Sequence, residues 1–139
     1  MKDEYITQIN RYITETLKHS VNNASLIMLY YKIGKYLSEY SLSSHDLKIL
    51  ECELQSIYGI VIGFTKRNLV SMIQFYQSYL EEDLVMLKQI PWHQHLLLLK
   101  EKDISKRRQL LYQNAFPNEK INYMLLELEE LQQKLLCNS

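Results

Sequence analysis

The chain has 139 residues, 47% of them hydrophobic and 23% charged, with only three glycines and two prolines. That is enough for one ordinary domain with a real core, and it excludes a disordered or collagen-like polymer. Sixteen basic residues balance sixteen acidic ones. No long-range field draws the protein to nucleic acid or to an anionic membrane, and any binding patch must be local. Eleven tyrosines against three phenylalanines suit half-buried positions, where the ring packs and the hydroxyl stays wet.

The reading along the chain is all-α: a compact multi-helix single domain over 1–139, with residues 60–64 as the one place for a strand. Residues 3–40 read as one or two long helices, with Ile6, Ile9, Ile13 and Leu17 on a first stripe and a break at the polar stretch 19–23. Leu26, Leu29, Ile33 and Leu37 form the next stripe. Gly34 interrupts it, at a cost of about 1 kcal/mol against alanine, which points to a close helix crossing. Ser43 or Ser44 caps a third helix carrying Leu47, Leu50, Leu54 and Ile57, and Gly59 ends it as a left-handed C′ residue.

Thr65 caps the next helix, which runs to about Leu80, with Phe64 and Leu69 as a hydrophobic staple. Leu69, Met72, Ile73, Tyr76 and Leu80 share the face expected to enter the core. Pro91 opens a short apolar helix, the stretch from Ile104 forms another, and 118–136 forms a last amphipathic helix with Ile121, Leu125, Leu128, Leu131 and Leu135 on one side. That stripe either closes the core or serves association.

The face of 65–80 opposite the core carries Arg67, Ser71, Gln74 and Ser78, while Lys66, Arg67 and Asn68 crowd the first turn. Cations at a helix start with free N–H groups contact phosphate well. Arg, Asn, Ser and Gln are side chains that hydrogen-bond base edges or backbone. With the capped helix before it, the unit 44–80 reads as helix-turn-helix-like, its second helix bound for a major groove. Segment 44–80 is itself electrically neutral, and a plain solvated face explains the same residues. A second basic cluster, Lys100 to Arg108, includes Lys106, Arg107 and Arg108. It reads as a phosphate-gripping edge or as a solvated helix start, and DNA contact requires both clusters on one surface.

The stretch "PWHQH" joins the only tryptophan to His93 and His95. Two histidines two residues apart do not share a helix face, and the two cysteines, Cys52 and Cys137, lack metal or redox spacing. Trp92 reads as a buried anchor, with the histidines capping or lining a surface. No cofactor or metal is expected. No strand hosts paired carboxylates and a lysine as metal-dependent nucleases need, and no nucleophile or phosphate-loop motif appears. The polar N-terminus and the short apolar runs point to a cytoplasmic protein without a membrane partner, and no small-molecule substrate is indicated.

The pieces "LYYKIGKYL", "GFTKRNL" with "QFY", and "PWHQHLLLLK" follow one another in an order and at spacings that resemble the N-terminal domain of the YhcG-like family, over roughly residues 20–116. The resemblance implies a helical DNA-binding or targeting module linked to restriction-like or mobile-element DNA metabolism in bacteria. Members of the family carry a PD-(D/E)XK nuclease domain after it. That domain has no counterpart in this sequence, so no catalytic residue carries over and the chain is expected to be non-enzymatic. The alternative is a protein-interaction module, docking a second copy or a separate nuclease subunit through 118–136.

Overall fold

A computed structural model describes residues 2–19, 21–59, 62–115 and 131–137. Among them the structure is helical throughout. The helices are α1 (Lys2–Lys18), α2 (Asn23–Ser38), α3 (Ser44–Tyr58), α4 (Lys66–Ser78), α5 (Leu84–Leu87), α6 (Trp92–Leu98) and α7 (Ile104–Ala115), with 3-10 turns at Ile62–Phe64 and Glu81–Asp83. Residues 131–137 are helical too. The all-α expectation holds. The strand considered at 60–64 is replaced by a 3-10 turn over its last three residues, while 60 and 61 lie outside the described part.

Local chemistry explains where the helices begin. Asn22 accepts from the Ser25 N–H, and Ser25 closes a reciprocal box on α2. Ser43, not Ser44, caps α3, with Asp46 returning a bond to the Ser43 N–H. The Thr65 hydroxyl accepts from the Asn68 N–H to start α4. Gly59 ends α3 at φ 84°, ψ −177°, a region that side chains rarely enter.

The core has two clusters. Ile9 and Ile13 of α1, Leu29, Tyr30, Ile33 and Leu37 of α2, Leu47, Leu50 and Leu54 of α3, and Leu69 and Met72 of α4 form the first. Ile27, Tyr31, Phe75, Tyr79, Leu87, Ile90, Leu98 and Leu111 form the second. Helices α2 and α4 supply both clusters and pack on each other more extensively than any other pair. Trp92 packs against both.

Gly34 is where α2 and α4 touch. A Cβ there would stand 2.0 Å from the Met72 carbonyl oxygen and 2.6 Å from its carbon. The crossing read from the sequence is therefore real, and it is made against backbone rather than a yielding side chain.

Four expectations need correction. The inner face of α4 is rotated from the one expected. Asn68, Leu69, Met72 and Phe75 are its buried residues, and Tyr79 follows them, while Ile73 and Tyr76 lie at its edge and Leu80 is exposed. Leu17 and Ile57, in the last turns of α1 and α3, are exposed rather than buried. The joint between α3 and α4 spans residues 59–65, longer than the turn of about three or four residues in a helix-turn-helix, and α4 packs chiefly on α2. Finally, the histidines do not both line a surface: His93 is exposed, but His95 is wholly buried. The helix expected at 118–136 lies mostly outside the described residues. Its end, 131–137, exposes Leu131, Leu135 and Leu136.

His95 packs on Phe75, with centroids 4.8 Å apart, and its Nε2–H donates to the Leu87 carbonyl at 2.8 Å. Burial pushes the imidazole below its ordinary pKa, against the opposite pull of the Leu87 and Ile90 carbonyls.

Two outcomes follow for stability. Gly34→Ala should gain helix propensity of about 1 kcal/mol, yet lose more, because overpacking costs about 1–3 kcal/mol and here the obstacle is backbone. A lower urea midpoint is expected, and an unchanged or raised one would contradict the crossing. For His95, the unfolded imidazole titrates near 6.5 and the folded one below that. The folded state then binds fewer protons, so the stabilisation is complete above about pH 6.5 and is lost as pH falls below it. The slope approaches about 1.4 kcal/mol per pH unit. Urea titrations from pH 7.5 to 5 should give a shallower slope in His95→Gln, and equal slopes would exclude His95 as the group responsible.

Candidate functional site

The outer row of α4 is Arg67, Ser71, Gln74 and Ser78. Arg67 and Gln74 are exposed, and Ser71 and Ser78 are half-buried. Both serines donate back to their own helix, Ser71 to the Arg67 carbonyl and Ser78 to the Gln74 carbonyl. Across from this row stands α6. Between them runs a groove of about 520 Å³ lined by Thr65, Arg67, Asn68, Ser71, Gln74, His93, Leu96, Leu97, Leu99 and Lys100. Its α6 side is mainly apolar, and Leu97 is 61% exposed. Among the described residues no carboxylate lines it.

The first turn of α4 differs from the free N-terminus expected. A carboxylate already occupies it: Glu51 of α3 accepts the Lys66 N–H at 2.9 Å and is paired with the Lys48 ammonium. Lys48, and then the Lys66 N–H, hold the Glu51 carboxyl below the usual range. The Lys66 ammonium donates to the Ser44 hydroxyl. Asn68 is buried, and both ends of its amide are used. Its Nδ2 donates to the Gly63 carbonyl at 2.7 Å, and its Oδ1 accepts from Trp92 Nε1 at 2.7 Å. Trp92 in turn meets Tyr30 and Phe75 edge to face, at 4.8 and 5.2 Å. Asn68 is thus a joint between α4 and α6.

The second cluster divides in the same way. Asp103 caps α7 by accepting the Ser105 and Lys106 N–H groups. Lys106 is exposed. Arg107 is a clamp: Nε donates to the Glu101 carbonyl at 2.9 Å and Nη1 to the Ser78 hydroxyl at 2.8 Å. Arg108 pairs at 2.9 Å with Asp83, whose carboxylate is 2% exposed and also accepts the Leu80 N–H. Asp83 raises the guanidinium pKa further. Burial pushes the neighbouring Tyr79 phenol up to about 12, with Arg107 pulling it down and Asp83 pushing it up.

The structure brings Arg67, Ser71, Gln74 and Lys100 to one groove, with Arg107 bound to Ser78 at the far end of the α4 row. About 16 Å of helix separates Arg67 from Ser78. Lys66, Asn68, Arg107 and Arg108 each make at least one side-chain hydrogen bond within the protein, that of Lys66 to Ser44 at the exposed surface. Lys100 and His93 were not singled out in the sequence as members of this site. The basic run containing Lys100 was visible, but its position across from α4 depends on the Asn68–Trp92 bond, a contact between residues 24 apart.

Among the described residues no group of three or more His, Cys, Asp or Glu side chains is placed to hold a metal ion. The chain belongs to the DUF1016 N-terminal domain family, which matches residues 5–133, in agreement with the YhcG-like resemblance. No curated protein and no solved structure matches it significantly. No described helix is long and apolar enough to cross a membrane.

Arg108→Ala should strand the buried Asp83 carboxylate. Breaking a buried pair costs about 3–5 kcal/mol, and with Arg108 42% exposed we expect a loss of about 1–3 kcal/mol. Lys106→Ala should fall within about 0.5 kcal/mol of the parent. Thermal melts of the two variants check this, and equal stability would remove the strut assigned to Arg108.

Proposed function

We propose that this chain is a non-catalytic targeting module that contacts duplex DNA along the outer face of α4. The observation that carries the reading is the groove in which Arg67 and Lys100 both take part and no described residue brings a carboxylate. One residue of each basic cluster, Arg67 of the first and Lys100 of the second, therefore supports the reading by lining the same groove. Arg67, Lys100 and Lys106 serve phosphates, and the exposed Gln74 amide and the Ser71 hydroxyl face the bases. Lys66, Asn68, Arg107 and Arg108 hold the surface in shape rather than touching the nucleic acid. The family's association with nucleases supports a DNA-directed role, in which the module would bring a partner activity to its substrate.

A second reading, docking of a second copy or of a separate nuclease subunit, draws on the three exposed leucines of the 131–137 helix. It becomes the better one if DNA fails to bind.

With three cations assigned to phosphates and no net charge, non-specific affinity should be poor, on the order of 10⁻⁴ to 10⁻⁶ M at physiological salt. Log affinity should fall with log salt at a slope of about −0.9 per phosphate, or roughly −2.7 for three contacts. Arg67→Ala and Lys106→Ala should each flatten that slope by about one unit without unfolding the protein. Fluorescence anisotropy with labelled duplexes measures both. No binding at tens of micromolar protein in low salt, or binding untouched by the double substitution, would overturn the DNA reading.

A further inference from the structure

A second concavity lies between the first turns of α1 and the last turn of α2. It has a volume of about 460 Å³, is lined by Glu4, Thr7, Gln8, Tyr36 and Tyr40, and shares no residue with the α4–α6 groove. Glu4, Thr7 and Gln8 fall on one face of α1 by helical spacing, Tyr36 lies in the last turn of α2, and Tyr40 follows two residues past its end. The two tyrosines are fixed before any ligand arrives. Tyr40 meets Tyr5 at 4.8 Å and Tyr36 at 5.3 Å, each edge to face, and the Tyr36 hydroxyl donates to the Glu4 carbonyl at 3.4 Å.

Three features of this notch favour positive charge. Glu4 supplies a carboxylate. Tyr36 and Tyr40 bring two aromatic rings to the lining, the kind of surface on which a cation binds. The last turn of α2 is the negative end of the helix dipole. Among the described residues no cationic side chain lines the notch, and the one cation in the last turn of α2, Lys35, lies outside its lining. The Tyr36 phenol reports the same field. Burial raises its pKa most, and Tyr40, Glu4 and Tyr5 each raise it further by disfavouring another negative charge beside them.

We infer that this notch is a binding site for an organic cation, a guanidinium or alkylammonium group, held over Tyr36 and Tyr40 and paired with Glu4. The group comes either from a free amine or from an arginine or lysine side chain of a basic partner segment.

The test is amide NMR of the full chain titrated with tetramethylammonium chloride, with sodium chloride at equal ionic strength as control. Saturable shifts confined to Glu4, Thr7, Tyr36 and Tyr40, with a dissociation constant in the millimolar range, are expected. Tyr40→Leu and Glu4→Gln should each weaken binding roughly two- to fivefold, the scale of an exposed cation–π contact. Glu4→Gln leaves the packed rings untouched and keeps the test valid should Tyr40→Leu loosen the helix pair. Arginine amide and a short blocked peptide containing one arginine form the second arm. Equal affinity for the two supports a site that reads the group alone, and tighter binding of the peptide supports a site for a partner's side chain. Shifts that grow without saturation, that appear equally in sodium chloride, or that survive both substitutions would overturn the assignment.

Discussion

The contact between Gly34 and the Met72 carbonyl sets the spacing of α2 and α4, and the rest of the molecule is arranged around that pair. Without a Cβ at position 34, the two backbones approach closely enough for Ile33 and Leu37 to enter one cluster with Leu69 and Met72. One turn further along, Ile27 and Tyr31 meet Phe75 and Tyr79 in the second cluster. Helix α4 is thereby committed on its inner side. Its outer row is left for other uses, and α6 is laid beside that row by Trp92, which reaches under it to Asn68.

The same constraint determines what the polar residues do. Residues that look like ligand contacts by type are spent on joints where α4 meets its neighbours. Asn68 ties α4 to Trp92 and to the Gly63 carbonyl, Glu51 neutralises the start of α4, and Arg107 and Arg108 bind the beginning of α7 to Ser78 and Asp83. A buried amide or carboxylate left unpaired is costly, so these pairings are structural requirements first. What remains is a sparse set of cations along one groove. On the DNA reading proposed above, that set suits weak, salt-sensitive contact better than tight recognition, and strong targeting would need a partner activity or a second contact surface.

Much of this was legible in the sequence. The caps at Ser43 and Thr65, the positive-φ stop at Gly59 and the crossing at Gly34 are local signals, readable from a few neighbouring residues. The motifs that carry the family resemblance were also readable, and their physical meaning emerges in three dimensions. Tyr30 of the first, Asn68 and Phe75 of the second, and Trp92 of the third meet in one aromatic and amide joint, while Gly34 of the first meets the Met72 backbone of the second. What the sequence withheld was long-range. Rotating the buried face of α4 toward Phe75 depends on where α5 and α6 return. The burial of His95 depends on the Leu87 carbonyl being there to receive its proton. The internal role of Arg108 depends on Asp83, 25 residues away. No periodicity encodes such pairings, and residue type alone gave no sign of them at Asn68, Arg107 and Arg108.

Native-state hydrogen exchange across a series of low urea concentrations tests the central claim directly, because it reads the stability of each helix separately. If the α2–α4 pair is the frame, the amides around Ile33–Leu37 and Leu69–Phe75 should be the slowest, exchanging only through global unfolding. Those of α7, held by the Arg107 and Arg108 clamps, should open in a smaller step at lower free energy. Amides of α2 or α4 that exchange by local opening while α7 remains protected would contradict the account.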